Sequence, residues 1–324
     1  MDKQPILSIS VIIPCFNCAN YLAEAVASVR EQTVACHEII IVDDGSTDNT
    51  PAVVSTLGDD IIYTRQDNHG PSSARNKGIE VATGQLVAFL DADDKWAANK
   101  LELQTSVLQH DPAIALVAAD MAEFDAHDEI IVPSVLGKYD LHEHFSRLCG
   151  APVPDALSLL MKTNFIPTGT VIVKRQVLLD TGGFNEEIHY GEDLELWAKI
   201  ASAHSIACLP QVLMFRRKHG GNTSKATTAL LRDLAKVATS VRKCCSGALL
   251  KQGVDPDLLV ARAWSDLGYW HFTTGQPRLA HDAFRNSLRE KFNLRAFIYG
   301  ATCLVPKPLL YALRNIKQKL FKTD

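Results

Sequence analysis

Along the first 95 residues, short apolar runs alternate with segments whose apolar positions recur every three or four residues. "SISVIIP" (8–14) is a β-branched apolar run and predicts a buried strand. "NYLAEAVASVREQT" (20–33) puts Leu22, Ala25, Val26 and Val29 on one face of a helix. "HEIIIVDDGS" (37–46) predicts a second strand closed by two acids, a glycine and a serine. In "STDNTPAVVSTL", Ser46 or Thr47 is placed to cap a helix that has Pro51 in its first turn. "IIYTRQ" (61–66) is a third strand, "ARNKGIEVAT" a helix stopped by Gly84, and 85–90 a fourth strand. Such alternation predicts an α/β fold, a mostly parallel sheet with helices on both faces, which binds ligands beyond the carboxyl ends of its strands.

The pattern then becomes mixed. "NKLELQTSVLQH" is helical and "IALVAAD" another buried strand, whereas 125–160 carries no clear period. "TGTVIVKRQVLLDTGGF" predicts a strand, a short helix and a glycine stop. "GEDLELWAKIASAH" is a helix with Glu192 and Asp193 in its first turn, acids that suit the positive end of the dipole. "IACLPQVLMFRRKHGGNTS" predicts a strand running into a basic, glycine-bearing loop.

From about residue 226 the pattern is all-helical, so two regions are expected, 1–225 and 226–324. "AWSDLGYWHFTTGQPRLAHDAFRNSL" (263–288) spaces Trp264, Leu267, Gly268, Gly275, Ala280 and Phe284 like one tetratricopeptide helix pair, with His271 in place of the usual tyrosine. One pair is short of the three repeats a free-standing array needs, which predicts packing on the main domain rather than an independent peptide-binding module. "PKPLLYALRNIKQKLFKTD" (306–324) sets Leu309, Leu310, Leu313, Ile316 and Leu320 roughly on one face among lysines and an arginine. That is a basic amphipathic helix, read either as a contact with a membrane surface or as a plain capping helix.

Composition changes this picture little. The chain has 324 residues, 47% hydrophobic and 22% charged, as in ordinary soluble globular proteins. A net charge of −4 gives no reason to expect a nucleic-acid partner. The charge is uneven: residues 289–324 carry +6 and the rest −10. "MDKQPILSIS" is not a secretory leader and no run of eighteen apolar residues occurs, so a cytoplasmic protein is expected. Several of the eight cysteines lie inside apolar runs as small hydrophobes. Cys15 and Cys18 have CxxC spacing, but no second pair completes a zinc site. A reducing compartment fits this usage.

"LVAFLDADDKW" (86–96) runs an apolar strand into Asp91, Asp93 and Asp94. Acids so crowded repel unless water or a cation lies among them. On extended backbone, positions two apart face the same way, so Asp91 and Asp93 can aim at one point. Hard oxygen ligands of this kind suit Mg²⁺ or Mn²⁺ held jointly with substrate phosphates. The competing reading is a solvated Asp-rich turn.

Four fragments in order, "SVIIPCFNCANYLAEAVASVREQT", "EIIIVDDGSTDNT", "NHGPSSARNKGIEVATGQLVAFLDADD" and "GGFNEEIHYGEDLELWAKIA", resemble the family 2 glycosyltransferases of GT-A fold over roughly 8–220. The resemblance implies roles. Phe16 would stack on the nucleotide base, with Pro14 shaping that strand end. Asp44 would accept from the base N–H, which favours a uridine or thymidine nucleotide. Arg75 would lie near the base or diphosphate, Asp91 near the ribose and Asp93 on the metal, and Asp193 would be the catalytic base. His219, in the basic loop, can reach the diphosphate or metal. Each has a plainer reading: core for Phe16, helix capping for Asp43 and Asp44, a surface site for Arg75, a helix start for Asp193 and more so for Glu192, and a solvated loop for His219.

The implied reaction moves a sugar from a nucleotide-sugar, expected to be a UDP-sugar, to a hydroxyl, with inversion. A divalent ion would stabilise the leaving diphosphate and a carboxylate would deprotonate the acceptor. Neither membrane spans nor a Gln-x-x-Arg-Trp element accompany Trp197, so a non-processive enzyme is expected. By analogy, the basic tail fits a saccharide or lipid-linked acceptor at the inner face of a membrane, such as one for a bacterial surface polysaccharide. A nucleotidyltransferase would want a glycine-rich basic loop, which "PCFNCANY" is not. A non-catalytic scaffold would rest on one helical hairpin.

Overall fold

The structure, a computed structural model, describes residues 7–219 and 227–304. The chain forms two compact units, Met1–Lys225 and Ala226–Asp324.

In the first unit nine strands join in one sheet: β1 (Ile9–Cys15), β2 (Glu38–Asp43), β3 (Ile61–Arg65), β4 (Leu86–Phe89), β5 (Lys95–Trp96), β6 (Ile114–Phe124), β7 (Ile130–Val132), β8 (Ile172–Lys174) and β9 (Ser205–Arg217). Their order is β3-β2-β1-β4-β8-β6-β9-β5, with β7 beside β6. The first four strands pair in parallel, as their alternation with helices predicts. Every residue of β1 is buried, because a strand covered on both faces has no solvent side on which polar residues could alternate. Ser10, the polar residue in that run, donates to Glu38 Oε1 and accepts from the Gly84 amide.

Past β4 the sheet is mixed. β8 runs antiparallel to both β4 and β6, β6 is parallel to β9, and β5 is antiparallel to β9. The change follows from what succeeds β4: an acidic turn and a two-residue strand that pairs with the far end of β9, where a helical crossover would have kept the sheet parallel.

The helix Leu22–Arg30 buries Leu22, Ala25, Val26 and Val29, the face its spacing predicts. The helix Pro71–Val81 packs on β1 so closely that a Cβ on Gly78 would stand 2.4 Å from Ile12 Cγ2. The helix Thr50–Thr56 has Pro51 in its first turn, but neither Ser46 nor Thr47 caps it. Asp48 Oδ1 accepts from the Thr50 amide at 2.9 Å, while the Ser46 hydroxyl accepts from the Asn17 amide at 3.0 Å. The unpatterned 125–160 holds β7 and three short helices, Val135–Lys138, His142–Leu148 and Ala156–Lys162, each too short for a hydrophobic period to declare itself.

Among the described residues, the second unit consists of helices Thr228–Lys251, Pro256–Thr273, Pro277–Glu290 and Leu294–Cys303. The middle pair forms a helical hairpin over the residues whose spacing suggested a tetratricopeptide pair. A Cβ on Gly268 would stand 2.7 Å from the Phe284 ring, so only glycine admits this approach. His271 is buried with Nδ1 2.8 Å from Gln276 Oε1. The basic amphipathic stretch 306–324 lies outside the described residues. Among those described, no helix is long and apolar enough to cross a membrane.

Candidate active site

The site is built at the carboxyl ends of the parallel strands. β1 ends in Pro14 and Cys15, and Phe16 follows at 48% exposure, so it is not core and its face is free to stack. Asn17, with φ of +52°, accepts through Oδ1 from the Thr47 and Asp48 amides and ties this loop to the one after β2.

β2 ends in two acids with different duties. Asp43 is fully buried and accepts from the Ser46 amide and the Tyr63 hydroxyl, both at 2.7 Å. Burial pushes its carboxyl up, but those hydrogen bonds outweigh it and hold the group below the usual carboxylate range. Asp44 turns the other way. It accepts from Gln66 Nε2, the His69 amide and the Gly70 amide at 2.7–3.0 Å, which holds the loop before the helix Pro71–Val81. Neither acid caps a helix with its side chain.

Beyond β4 the Asp94 amide donates to the Asp91 carbonyl at 3.0 Å, closing residues 91–94 into a turn. The chain there is not the extended segment expected from its sequence; the turn itself presents Asp91 and Asp93 to the same space, with Ala92 between them at the cavity wall and against the core. Asp94 is buried and accepts from the Arg217 amide at 2.8 Å. Burial, then the charges of Asp93 and Asp91, drive its carboxyl well above the usual range.

The end of β9 brings cations to these acids. Arg217 lies over the Tyr21 and Phe124 rings, 5.2 and 4.5 Å from their centroids, and pairs with Glu24. Two residues on, His219 stacks on Tyr21 with centroids 5.6 Å apart and brings Nε2 to 2.8 Å from Asp93 Oδ2.

A cavity of about 290 Å³ opens between these loops, lined by Pro14, Phe16, Asp44, Asp91, Asp93 and His219 together with Cys15, Cys18 and Tyr21. Six of the eight residues singled out in the sequence therefore share one cleft. All eight cysteines are free thiols, the Cys15–Cys18 pair included.

Arg75 is placed differently from the expectation. It does not line the cavity and is not a surface residue. Its Nη2 donates to Asp91 Oδ1 and its Nη1 to Glu192 Oε1, each at 2.9 Å. The buried guanidinium lies 5.3 Å from the Phe184 ring centroid. Burial works against its charge, but the two carboxylates outweigh that and raise its pKa. Its two terminal nitrogens hold two acids together, while Nε is buried without a hydrogen-bond partner among the described residues.

Asp193 begins the helix Glu192–Ala203 next to that bridge. It is half-buried and does not line the cavity, but it connects to it through Glu192, Arg75 and Asp91. The Leu194 amide, Asn164 Nδ2 and Thr168 Oγ1 surround its oxygens at 2.6, 3.4 and 3.5 Å. Burial, then the neighbouring Glu192, push its carboxyl up to about 7. A carboxylate so tuned can take a proton at neutral pH.

Sequence reasoning missed Glu192, which was read as a helix-start acid, and also Tyr21, Asn164 and Thr168. An arginine and a glutamate 117 positions apart leave no local pattern that could have joined them.

The residues also meet the chemistry of Mg²⁺ or Mn²⁺. Asp93 Oδ2 and His219 Nε2 form one oxygen–nitrogen pair at the cavity wall, and no cluster of three or more His, Cys, Asp or Glu ligands occurs among the described residues. A two-donor set fits an ion that takes few protein ligands and completes its shell with water and substrate phosphate.

The sheet followed by helices is the GT-A arrangement. S. aureus TarS 1–349 in complex with UDP-GlcNAc superposes with a TM-score of 0.66 at 19% identity, covering 88% of this chain and 81% of that one. The model of glycosyl transferase family 2 matches residues 10–144. A glycosyltransferase of Rickettsia prowazekii is 31% identical over 71% of this chain and 71% of its own length. The E. coli UDP-Glc:alpha-D-GlcNAc-diphosphoundecaprenol beta-1,3-glucosyltransferase WfgD is 30% identical over 62% of this chain and 72% of its own. The match to a Rickettsia felis glycosyltransferase, 34% identical, spans only 35% of that longer protein. The chain belongs to the family 2 glycosyltransferases.

Proposed function

We propose that the protein transfers a hexose, with inversion, from a UDP-sugar to a hydroxyl of a saccharide or lipid-linked acceptor, with Mg²⁺ or Mn²⁺ bound at Asp93 and His219. The observation that carries this reading is the sharing of one cavity by Phe16, Asp44, Asp91, Asp93 and His219, with Asp193 tethered to it by the Arg75 bridge.

In this reading Phe16 stacks on the base and Asp44, already oriented by its loop hydrogen bonds, takes an imide N–H that uracil offers and cytosine does not. Asp91, held by Arg75, lies toward the ribose. The cation would stabilise the charge of the leaving diphosphate by several kcal/mol. Asp193 takes the acceptor hydroxyl's proton, worth about 10²–10⁴-fold in rate. A single base, with no nucleophilic side chain forming a covalent intermediate, gives inversion at the anomeric carbon.

WfgD, whose name gives a UDP-Glc donor and a diphosphoundecaprenol-linked acceptor, supports a lipid-linked acceptor for this chain as well. Peripheral contact with the inner face of a membrane follows from that choice. Phe292, Leu294, Phe297 and Ile298 are exposed in the second unit, close before the basic stretch 306–324. No feature favours the nucleotidyltransferase or scaffold readings.

The test is UDP release. Incubation with a panel of UDP-sugars and Mg²⁺ or Mn²⁺ should give slow metal-dependent hydrolysis with one donor, and Asp93→Ala should abolish it. No release from any UDP-sugar at either metal would reject the assignment.

A further inference from the structure

Downstream of the acidic turn a second group of polar side chains is buried that the reaction as described does not use. Trp96, Lys100 and Gln104 are at most 5% exposed. Among the described residues Lys100 has no carboxylate beside it: its Nζ donates to Gln104 Oε1 at 2.8 Å, lies 3.4 Å from the Val171 carbonyl and sits 4.1 Å from the centroid of the Trp96 ring. Burial pulls this amine well below the ordinary lysine range.

The three side chains converge on one short segment. Trp96 Nε1 donates to the Gly169 carbonyl at 2.9 Å, Gln104 Nε2 to the Thr170 carbonyl at 2.7 Å, and Lys100 Nζ to Val171. Three successive carbonyls are thus gripped by three donors from 96–104. Gln104 Nε2 also donates to the Val117 carbonyl of β6 at 2.8 Å, which fixes the group to the sheet. On the other side the Met214 thioether closes on Gly169, where a Cβ would stand 2.5 Å from the Met214 methyl. The segment so held is the 3₁₀ turn Thr168–Thr170, and the Thr168 hydroxyl faces Asp193 Oδ2.

We infer that Trp96, Lys100 and Gln104 are positioning residues for Asp193, acting through the turn Thr168–Thr170; the inference rests on the reading of Asp193 as the base. Burying an amine and an amide is costlier than burying leucines, and what it gains here is direction rather than adhesion. Each donor fixes one carbonyl, and the fixed turn aims one hydroxyl at one carboxylate oxygen. The charged groups acting on Asp193 are Glu192 on its own helix and Arg75 on the helix Pro71–Val81, while the turn and residue 164 present only the uncharged Thr168 and Asn164.

The experiment reads Asp193 directly. With ¹³C-labelled aspartate, its carboxyl signal is assigned by its absence in Asp193→Asn and titrated in the wild-type chain, Lys100→Met, Trp96→Phe and Thr168→Val. Hydrogen bonds donated to a carboxylate favour its charged form, so loosening the turn raises the midpoint. The expected result is a higher midpoint in all three variants, kcat lowered on the order of 10–100-fold and an unchanged KM for the UDP-sugar. Thr168→Ser, which keeps the hydroxyl, should restore both. Trp96→Phe deletes a single donor and keeps the ring, so the proposal stays testable if Lys100→Met does not fold. Midpoints unmoved in folded variants would overturn it. Transfer surviving in Asp193→Asn while the midpoints still move would instead remove Asp193 as base and leave the coupling in place.

Discussion

Arg75 Nη1 lies 2.9 Å from Glu192 Oε1, joining helices 117 positions apart, and the same guanidinium holds Asp91 with its other nitrogen. One planar fork thus ties the acidic turn at the cavity to the helix that carries Asp193. A lysine would reach both carboxylates only from a single nitrogen, without the fixed spacing of the planar fork.

Removing one partner of a buried pair leaves the other charge without compensation. Arg75→Met should therefore destabilise the protein by about 3–5 kcal/mol in urea denaturation. Arg75→Lys should retain more stability yet lose most transfer, since one nitrogen draws the two acids to a different separation from that set by the fork. A folded Arg75→Lys with wild-type activity would show that the bridge is only structural.

The Asp93–His219 pair predicts a separation of metal effects. Asp93→Ala should abolish stimulation by Mn²⁺, and His219→Ala should raise the Mn²⁺ concentration needed for half-maximal rate while sparing saturating activity. Rates measured against metal concentration check both. An identical Mn²⁺ dependence in His219→Ala would remove it from the site.

Asp193 sets a pH dependence of opposite sign for activity and stability. Its carboxyl is pushed up to about 7 from an ordinary 3.8, so between these values the native state keeps a proton that the unfolded chain has lost. Its contribution to stability is full below about pH 4 and is lost as pH rises through 7. The rate should instead rise with pH through about 7, as the carboxylate form becomes available. In Asp193→Asn the stability slope over this interval should flatten, which denaturation midpoints at several pH values would reveal.

Gly78 tests the packing beneath the site. Gly78→Ala pushes a methyl to within 2.4 Å of Ile12 Cγ2 and should cost about 1–3 kcal/mol by overpacking, with donor binding unaffected below the melting transition. Thermal denaturation with and without UDP would separate the two effects.

What could be read from the sequence follows from which interactions are local. The buried run of β1, the helix face of Leu22, Ala25, Val26 and Val29, and the acids at the strand ends all announce themselves within ten residues of chain. The cavity membership of Phe16, Asp44, Asp91, Asp93 and His219 was accessible because each sits at the end of a strand or in the loop that follows it. The pairing of Arg75 with Glu192 was not legible, because nothing near Arg75 in the chain reveals that partner. The turn at 91–94 was read as extended because the backbone bond from Asp94 to Asp91 leaves no mark in composition. Lys100 and Gln104 lie in a segment whose pattern announces only a helix, and Trp96 precedes it without a local signal, since their shared target lies over sixty positions away.

The most direct measurement is UDP binding and sugar transfer on the same preparation of Asp193→Asn. If carboxylates of separate roles meet here, UDP affinity should equal that of the wild-type chain while transfer falls by about 10²–10⁴-fold. Transfer at the wild-type rate would contradict the assignment of Asp193 and the account built on it.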